Sequence, residues 1–174
     1  MGKRRKDLPF IEGLHITTLA AEGKAMGKVD NQVVFVPMTV PGDVVDVQIR
    51  KHHRRFMEGV VVNYVEKSPL RVEHFCEHFG ICGGCKWQNL PYEEQLKQKT
   101  KQVEDQLVRI GHLDIPEVRP CLGSAKTREY RNKLEFTFAD KRWLTYEEIA
   151  SGADIEAQPA IGFHIPGCFD KVLD

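Results

Sequence analysis

The chain has 174 residues, 41% hydrophobic and 29% charged, with 25 Lys/Arg balancing 25 Asp/Glu. These proportions exclude an intrinsically disordered chain and fit a water-soluble protein of one ordinary domain or two small ones. No apolar run approaches the length needed to cross a bilayer, and no apolar segment follows the basic start Lys3-Arg4-Arg5-Lys6, so neither a membrane span nor a signal peptide is expected. With five cysteines and no sign of export, a reducing cytoplasm is the expected location.

Neutrality hides a split. Residues 1–72 hold 12 Lys/Arg against 8 Asp/Glu, whereas residues 73–174 hold 13 against 17. The N-terminal excess is clustered at residues 3–6 and 50–55. Local clustering matters more than total charge for binding a polyanion, although a solvated tail and hairpin are the plainer alternative.

From about residue 10 to 67 the chain reads as short strands divided by turn residues. Leu14 and Ile16 alternate with His15 and Thr17, and Glu22-Gly23-Lys24 turns. Strands follow at 25–29 and 33–36, separated by an Asp30-Asn31 turn. Pro41-Gly42-Asp43 is a strong turn signal. Val45, Val47 and Ile49 share one face of the next strand, with Asp46 and Gln48 on the other. Residues 50–55 form a basic connection, and 58–65 return as a strand. Five short strands in fewer than about 60 residues predict a small closed β-barrel of the OB kind, a shape that removes sheet edges. Ser68-Pro69 closes this domain, giving expected domains of 1–68 and 69–174.

The next stretch, Cys76-Glu77-His78-Phe79-Gly80-Ile81-Cys82-Gly83-Gly84-Cys85, places three thiols within ten residues. Thiolates at this spacing select zinc or an iron–sulfur cluster over hard cations. The glycine pair lets backbone amides face the sulfurs. Structural zinc sites of four cysteines usually come as two Cys-x-x-Cys hooks. Here Cys76 stands alone and no second hook follows, which leans towards a four-iron cubane with a distant fourth ligand, zinc remaining the alternative. Cys121 and Cys168 are the in-chain candidates for that ligand. His74 and His78 are expected to pack within the loop or face solvent. Phe79 and Trp87 are expected to shield it.

Pro91 opens a helix, where its missing N–H is harmless. Tyr92, Leu96, Val103, Leu107 and Ile110 fall on one apolar stripe expected to join the core, and Gly111 is placed as the C′ residue. Lys126-Thr127-Arg128-Glu129-Tyr130-Arg131-Asn132-Lys133 is a basic approach to a strand with Leu134, Phe136 and Phe138 on one face. Residues 146–149 suggest one helical turn, residues 161–165 a strand and Val172-Leu173 the start of another. No glycine-rich turn after a strand and no βαβ alternation appears, so no dinucleotide-type cofactor fold is expected.

The cysteine loop, its following Gln88, the helix entry Leu90-Pro91-Tyr92 and the approach Ser68-Pro69-Leu70-Arg71 resemble the central region of the RNA uridine-C5 methyltransferases of the RumA/RlmD type. Glu22-Gly23-Lys24-Ala25-Met26-Gly27, with Val36-Pro37 and Pro41-Gly42-Asp43, is similar to a TRAM domain. The resemblance covers nearly the whole chain. It implies a TRAM barrel at 1–68 and an α+β domain at 69–174 with a cluster loop at 76–88. It also implies a 4Fe–4S cluster on Cys76, Cys82 and Cys85 whose fourth cysteine lies beyond Asp174. For Lys51, Arg54 and Arg55 it favours contact with RNA phosphates, and it places Arg128, Arg131 and Lys133 near the RNA, with ribosomal RNA as the expected target.

In that family a C-terminal α/β domain carries S-adenosylmethionine, a nucleophilic cysteine and a general-base glutamate, and the target uridine is extruded before reaction. No catalytic or cofactor-binding residue is assigned within 1–174. The expectation is a monomeric recognition half of an enzyme, inactive alone. A free-standing RNA-binding adaptor with a metal-stabilised loop is one alternative; a zinc-stabilised protein-interaction domain without an RNA role is another.

Overall fold

The computed structural model describes residues 8–156, 158–167 and 172–173. They belong to two compact units, one within residues 1–73 and 87–124, the other within 74–86 and 125–174. The basic residues 3–6 and Cys168 lie outside the described residues.

In the first unit, β1 (Phe10–Leu19), β2 (Ala25–Val29), β3 (Gln32–Val36), β4 (Val44–His52) and β5 (Phe56–Glu66) close a barrel in the order β1-β2-β3-β5-β4. The β3–β5 ladder is parallel and the others are antiparallel. The mainly-β class and the small closed barrel are as the alternating pattern predicts. No βαβ unit occurs among the described residues.

Alternation sorts the side chains. Leu14 and Ile16 of β1, Val34 and Val36 of β3, Val45, Val47 and Ile49 of β4 and Met57 of β5 are buried in one core. Each such side chain contributes about 1.5–3 kcal/mol when fully buried. Asp30 and Asn31 adopt φ of 47° and 64°, the paired left-handed conformation of a type I′ turn, which sets the β2–β3 register. At Gly27 the backbone of β1 comes so close that an added Cβ would overlap the His15 carbonyl oxygen.

One expectation about a boundary is corrected. The basic stretch 50–55 is only partly a connection. β4 continues through Lys51 and His52, which pair with Glu58 and Met57, and residues 53–55 alone make the turn, closed by the His53 N–H donating to Phe56 O at 2.9 Å. Beyond Ser68-Pro69, part of the chain also belongs to the compact unit of the barrel. Leu90 is buried in the barrel core, and the Gln102 amide donates to Ala20 O at 3.1 Å. The segment after the cysteine loop thus packs on the barrel, because its apolar and amide groups find partners there.

Helix α1 (Tyr92–Asp105) passes into a π-helical turn, Gln106–Ile110, marked by the Gly111 N–H donating to Gln106 O at 2.8 Å. Gly111 is not a left-handed C′ residue: its φ is −77°, and His112 takes the positive φ, 52°. The wider π turn carries the chain through Gly111 in a right-handed conformation and defers the reversal by one residue. Nor is the stripe core, since no α1 residue is buried and Val103 and Ile110 are exposed. Its first turns hold the 121–124 segment instead, through Thr100 Oγ1 accepting from Cys121 N–H (2.8 Å) and Tyr92 Oη accepting from Ser124 N–H (2.7 Å).

In the second unit β6 (Thr137–Ala139), β7 (Ala160–His164) and β8 (Val172–Leu173) form an antiparallel sheet in the order β6-β7-β8. The strand expected from Leu134 shrinks to three residues, because pairing with β7 starts at Thr137 opposite Gly162. Leu134, Phe136 and Phe138 are accordingly exposed. The helical turn suggested at 146–149 is α2 (Tyr146–Ala150), opened by a capping box between Thr145 and Glu148.

Candidate nucleic-acid interface and cysteine loop

The β4–β5 hairpin carries the first candidate site. Lys51 sits on β4 with Nζ 3.4 Å from Glu58 Oε2, and Lys24 Nζ is 3.9 Å from the other oxygen of the same carboxylate. Arg54 and Arg55 lie at the turn, exposed, with no ion pair among the described residues. Gln32 on β3 braces this tip: its Nε2 donates to Arg54 O at 3.4 Å, and its Oε1 lies 3.3 Å from His52 Nε2. A rigid ladder therefore ends in solvated guanidinium groups, the arrangement suited to phosphate contact.

Rings extend the same surface. His53 stacks on Phe56 with centroids 4.4 Å apart, and Phe56 meets Phe35 of β3 edge-on at 5.6 Å. Charge, which marks the neighbouring arginines, does not point to Phe35. Alternation does, because Phe35 stands between the inward Val34 and Val36 and must face outward.

Below the barrel mouth, the segment after β5 is pinned by a buried carboxylate. Asp43 accepts from the N–H groups of Val40 (2.7 Å) and Ser68 (2.9 Å) and from Arg71 Nε (2.8 Å) and Nη2 (2.7 Å). Arg71 also donates to Met38 O at 3.0 Å and lies over the Tyr64 ring, 4.7 Å from its centroid. Burial alone would pull the Arg71 pKa down, but the Asp43 hydrogen bonds and charge outweigh it and hold the pKa above its ordinary value. Burial raises the Tyr64 hydroxyl in spite of the nearby guanidinium.

The cysteine loop belongs to the second unit. Tight turns shape it: Phe79 N–H donates to Cys76 O (3.1 Å), and Cys82 N–H to His78 O (3.0 Å). Gly80, at φ 91°, takes a left-handed conformation that favours glycine. Gly84 N–H points at Cys82 Sγ, 3.3 Å away, the type of contact that supports a ligating thiolate. The donor chemistry thus suits zinc or an iron–sulfur cluster. Among the described residues, however, no three His, Cys, Asp or Glu side chains are gathered into a metal-binding group. Cys76 and Cys82 are half-buried and Cys85 is exposed. His74 packs on the Phe79 ring (5.2 Å) inside the loop, as expected. Trp87, which follows the loop, packs against the barrel core, joined there by Leu90.

The basic approach 126–133 is spread rather than focused. Arg128 lies over Phe75, 4.1 Å from the ring centroid, next to Cys76 in sequence. Lys133 pairs with Glu135 at 2.9 Å, and Arg131 is exposed. Cys121 lies against α1 in the first unit.

Residues 12–62, almost the whole five-stranded barrel, match the TRAM domain family, so the barrel is a TRAM domain. A Bacteroides thetaiotaomicron protein named as an uncharacterized RNA methyltransferase is 57% identical over 155 residues, 89% of this chain and 34% of its own. The 23S rRNA (uracil(1939)-C(5))-methyltransferase RlmD of Francisella tularensis subsp. novicida is 39% identical over 137 residues, 76% of this chain and 30% of its own. The crystal structure of a Pyrococcus abyssi tRNA (uracil-54, C5)-methyltransferase with S-adenosyl-L-homocysteine shares 30% identity, covering 60% of this chain and 22% of that one. Its TM-score is 0.37, too low to bear on the fold. The chain spans about a third of the length of the curated relatives it matches. Over that third it is similar to RNA methyltransferases, RlmD among them. No helix among the described residues is long and apolar enough to cross a membrane.

Proposed function

We propose that this chain is the RNA-recognition region of an S-adenosylmethionine-dependent uridine-C5 methyltransferase acting on 23S rRNA. The observation that carries this is the 57% identity to an RNA methyltransferase across 89% of the chain, which includes both units rather than the barrel alone. In this reading Lys51, Arg54 and Arg55 hold phosphates on the barrel, and Arg128, Arg131 and Lys133 do so on the second unit. Charge-assisted contacts of this kind position the RNA backbone without reading sequence. Base choice and methyl transfer belong to the remainder of the enzyme, so none of residues 1–174 is given a catalytic role, and the chain alone is expected to leave uridine unmethylated.

Cys76, Cys82 and Cys85 are the residues that would hold a 4Fe–4S cluster, or zinc, with the Gly84 amide supporting Cys82. A bound metal centre would supply folding free energy to a loop that is otherwise short of apolar contacts. The chain's own contribution is backbone shape: the turn at Gly80 and the Gly83-Gly84 pair present the thiols without side chains in the way.

Binding of the chain to single-stranded RNA at increasing salt tests the proposal. Each neutralised phosphate releases counterions, so log K is expected to fall linearly with log salt. Absence of RNA binding at low salt would contradict it.

A further inference from the structure

We infer that the barrel carries a base-stacking platform, formed by His53, Phe56 and Phe35, which takes unpaired bases of single-stranded RNA beside the phosphate-binding arginines. This rests on the RNA reading above and adds to it a second, uncharged mode of contact.

The three rings come from two strands and one turn, and the fold fixes all three. Phe35 lies between buried Val34 and Val36, and Phe56 precedes buried Met57, so alternation turns both rings outward. Val33 stands opposite Phe56 in the parallel β3–β5 ladder, which brings Phe35 and Phe56 together across it. The two phenylalanines are half-buried and His53 is exposed. His53 lies almost parallel to Phe56, at an interplanar angle of 25°, and is the outermost ring. The His53 N–H to Phe56 O hydrogen bond, 2.9 Å, holds that stack at the base of the turn.

Charge says what lies on it. Arg54 and Arg55 lie between His53 and Phe56 in sequence and Lys51 stands two residues before His53, whereas Glu58, opposite Phe35 in the ladder, is engaged by Lys24 and Lys51. Flat aromatic surface flanked by excess positive charge suits a ligand with flat π-faces on an anionic backbone. Single-stranded RNA has both, while a duplex keeps its bases stacked on one another.

Two probes of equal charge separate stacking from phosphate contact: an oligouridylate and the same phosphodiester with abasic riboses. The parent chain is expected to bind the oligouridylate about tenfold or more tightly than the abasic strand. His53→Ala and Phe56→Leu are expected to pull that ratio towards one while leaving the salt slope unchanged. His53 is exposed, so its variant keeps the test alive should Phe56→Leu unfold, which thermal melting would reveal. Equal binding of both probes by the parent, with normal salt dependence, overturns the platform and leaves the RNA reading standing. An unchanged ratio in His53→Ala and in folded Phe56→Leu overturns it as well. Binding of neither probe removes the RNA reading and the platform together.

Discussion

Arg71 forks onto Asp43 through two hydrogen bonds, Nε to Oδ1 at 2.8 Å and Nη2 to Oδ2 at 2.7 Å, and Asp43 is fully buried. The pair joins the turn before β4 to the segment after β5, and the same carboxylate caps the Val40 and Ser68 amides. It fastens the exit of the barrel to the chain leading into the cysteine loop. A buried pair is not in itself a source of stability, but removing one partner strands the other.

Arg71→Ala should therefore destabilise the barrel by about 3–5 kcal/mol, because the Asp43 charge stays buried without its main partner. Denaturant unfolding followed by the Trp87 signal, a ring packed on the barrel, measures it. A loss within the range of a surface change, about 0.5 kcal/mol, would mean the fork is incidental.

Gly27→Ala should cost about 1–3 kcal/mol or more, since its Cβ meets the His15 carbonyl and the Leu14 side chain. Gly13→Ala is the control. Its Cβ enters open space, but its φ of 60° imposes a strain of about 1–2 kcal/mol. A Gly27→Ala unfolding midpoint equal to the parent's would show that backbone approach at Gly27 is not the governing constraint.

Much of this fold is legible in the sequence because alternation is a strong signal in a closed barrel. Val45, Val47 and Ile49 announce their strand and its inner face, and Asp30-Asn31 its turn. What is not legible depends on partners distant in sequence. Pro41-Gly42-Asp43 reads as a turn, and nothing local shows that Asp43 turns inward to meet Arg71. Leu90 reads as a helix entry, although it fills the barrel core. The stripe on α1 misleads for the opposite reason: periodicity reports an apolar face, not whether anything covers it. For the candidate site, charge marks Arg54 and Arg55, whereas the ring strip needs the β3–β5 register. The spacing of Cys76, Cys82 and Cys85 raises an expectation of thiolate ligation, while among the described residues no three such side chains are gathered into a metal-binding group.

Glu148 accepts two hydrogen bonds from Arg142 (2.7 and 3.1 Å) and one from the Thr145 N–H (2.8 Å). Chiefly through the Arg142 bonds, its pKa falls from the ordinary 4.5 to about 2. A depressed carboxyl pKa means the fold favours the ionised form. The contribution is complete above pH 4.5 and is lost as pH falls through about 2. Glu148→Gln should flatten the acid limb of the second unit's stability in that window. Melting curves measured between those pH values would show this, and an unchanged limb would assign the acid sensitivity elsewhere.

Anaerobically prepared full-length protein, which includes the fourth cysteine the resemblance implies, should contain iron and sulfide with thiolate-to-iron absorbance, or stoichiometric zinc with no colour, and Cys82→Ser should lose either, whereas residues 1–174 alone should hold the centre poorly. Because the loop would take folding free energy from the centre, metal removal should speed amide exchange at residues 74–86 more than in the barrel. Equal metal content in parent and Cys82→Ser would dissociate this thiol from any centre.

The most direct test of RNA recognition by the barrel is the salt dependence of binding in the variant carrying Lys51→Ala, Arg54→Ala and Arg55→Ala. The account predicts weaker binding to every single-stranded sequence tried, with the slope of log K against log salt reduced by about 0.7 for each phosphate no longer neutralised, or about 2 in all. A variant that keeps the parent's affinity and slope would contradict it.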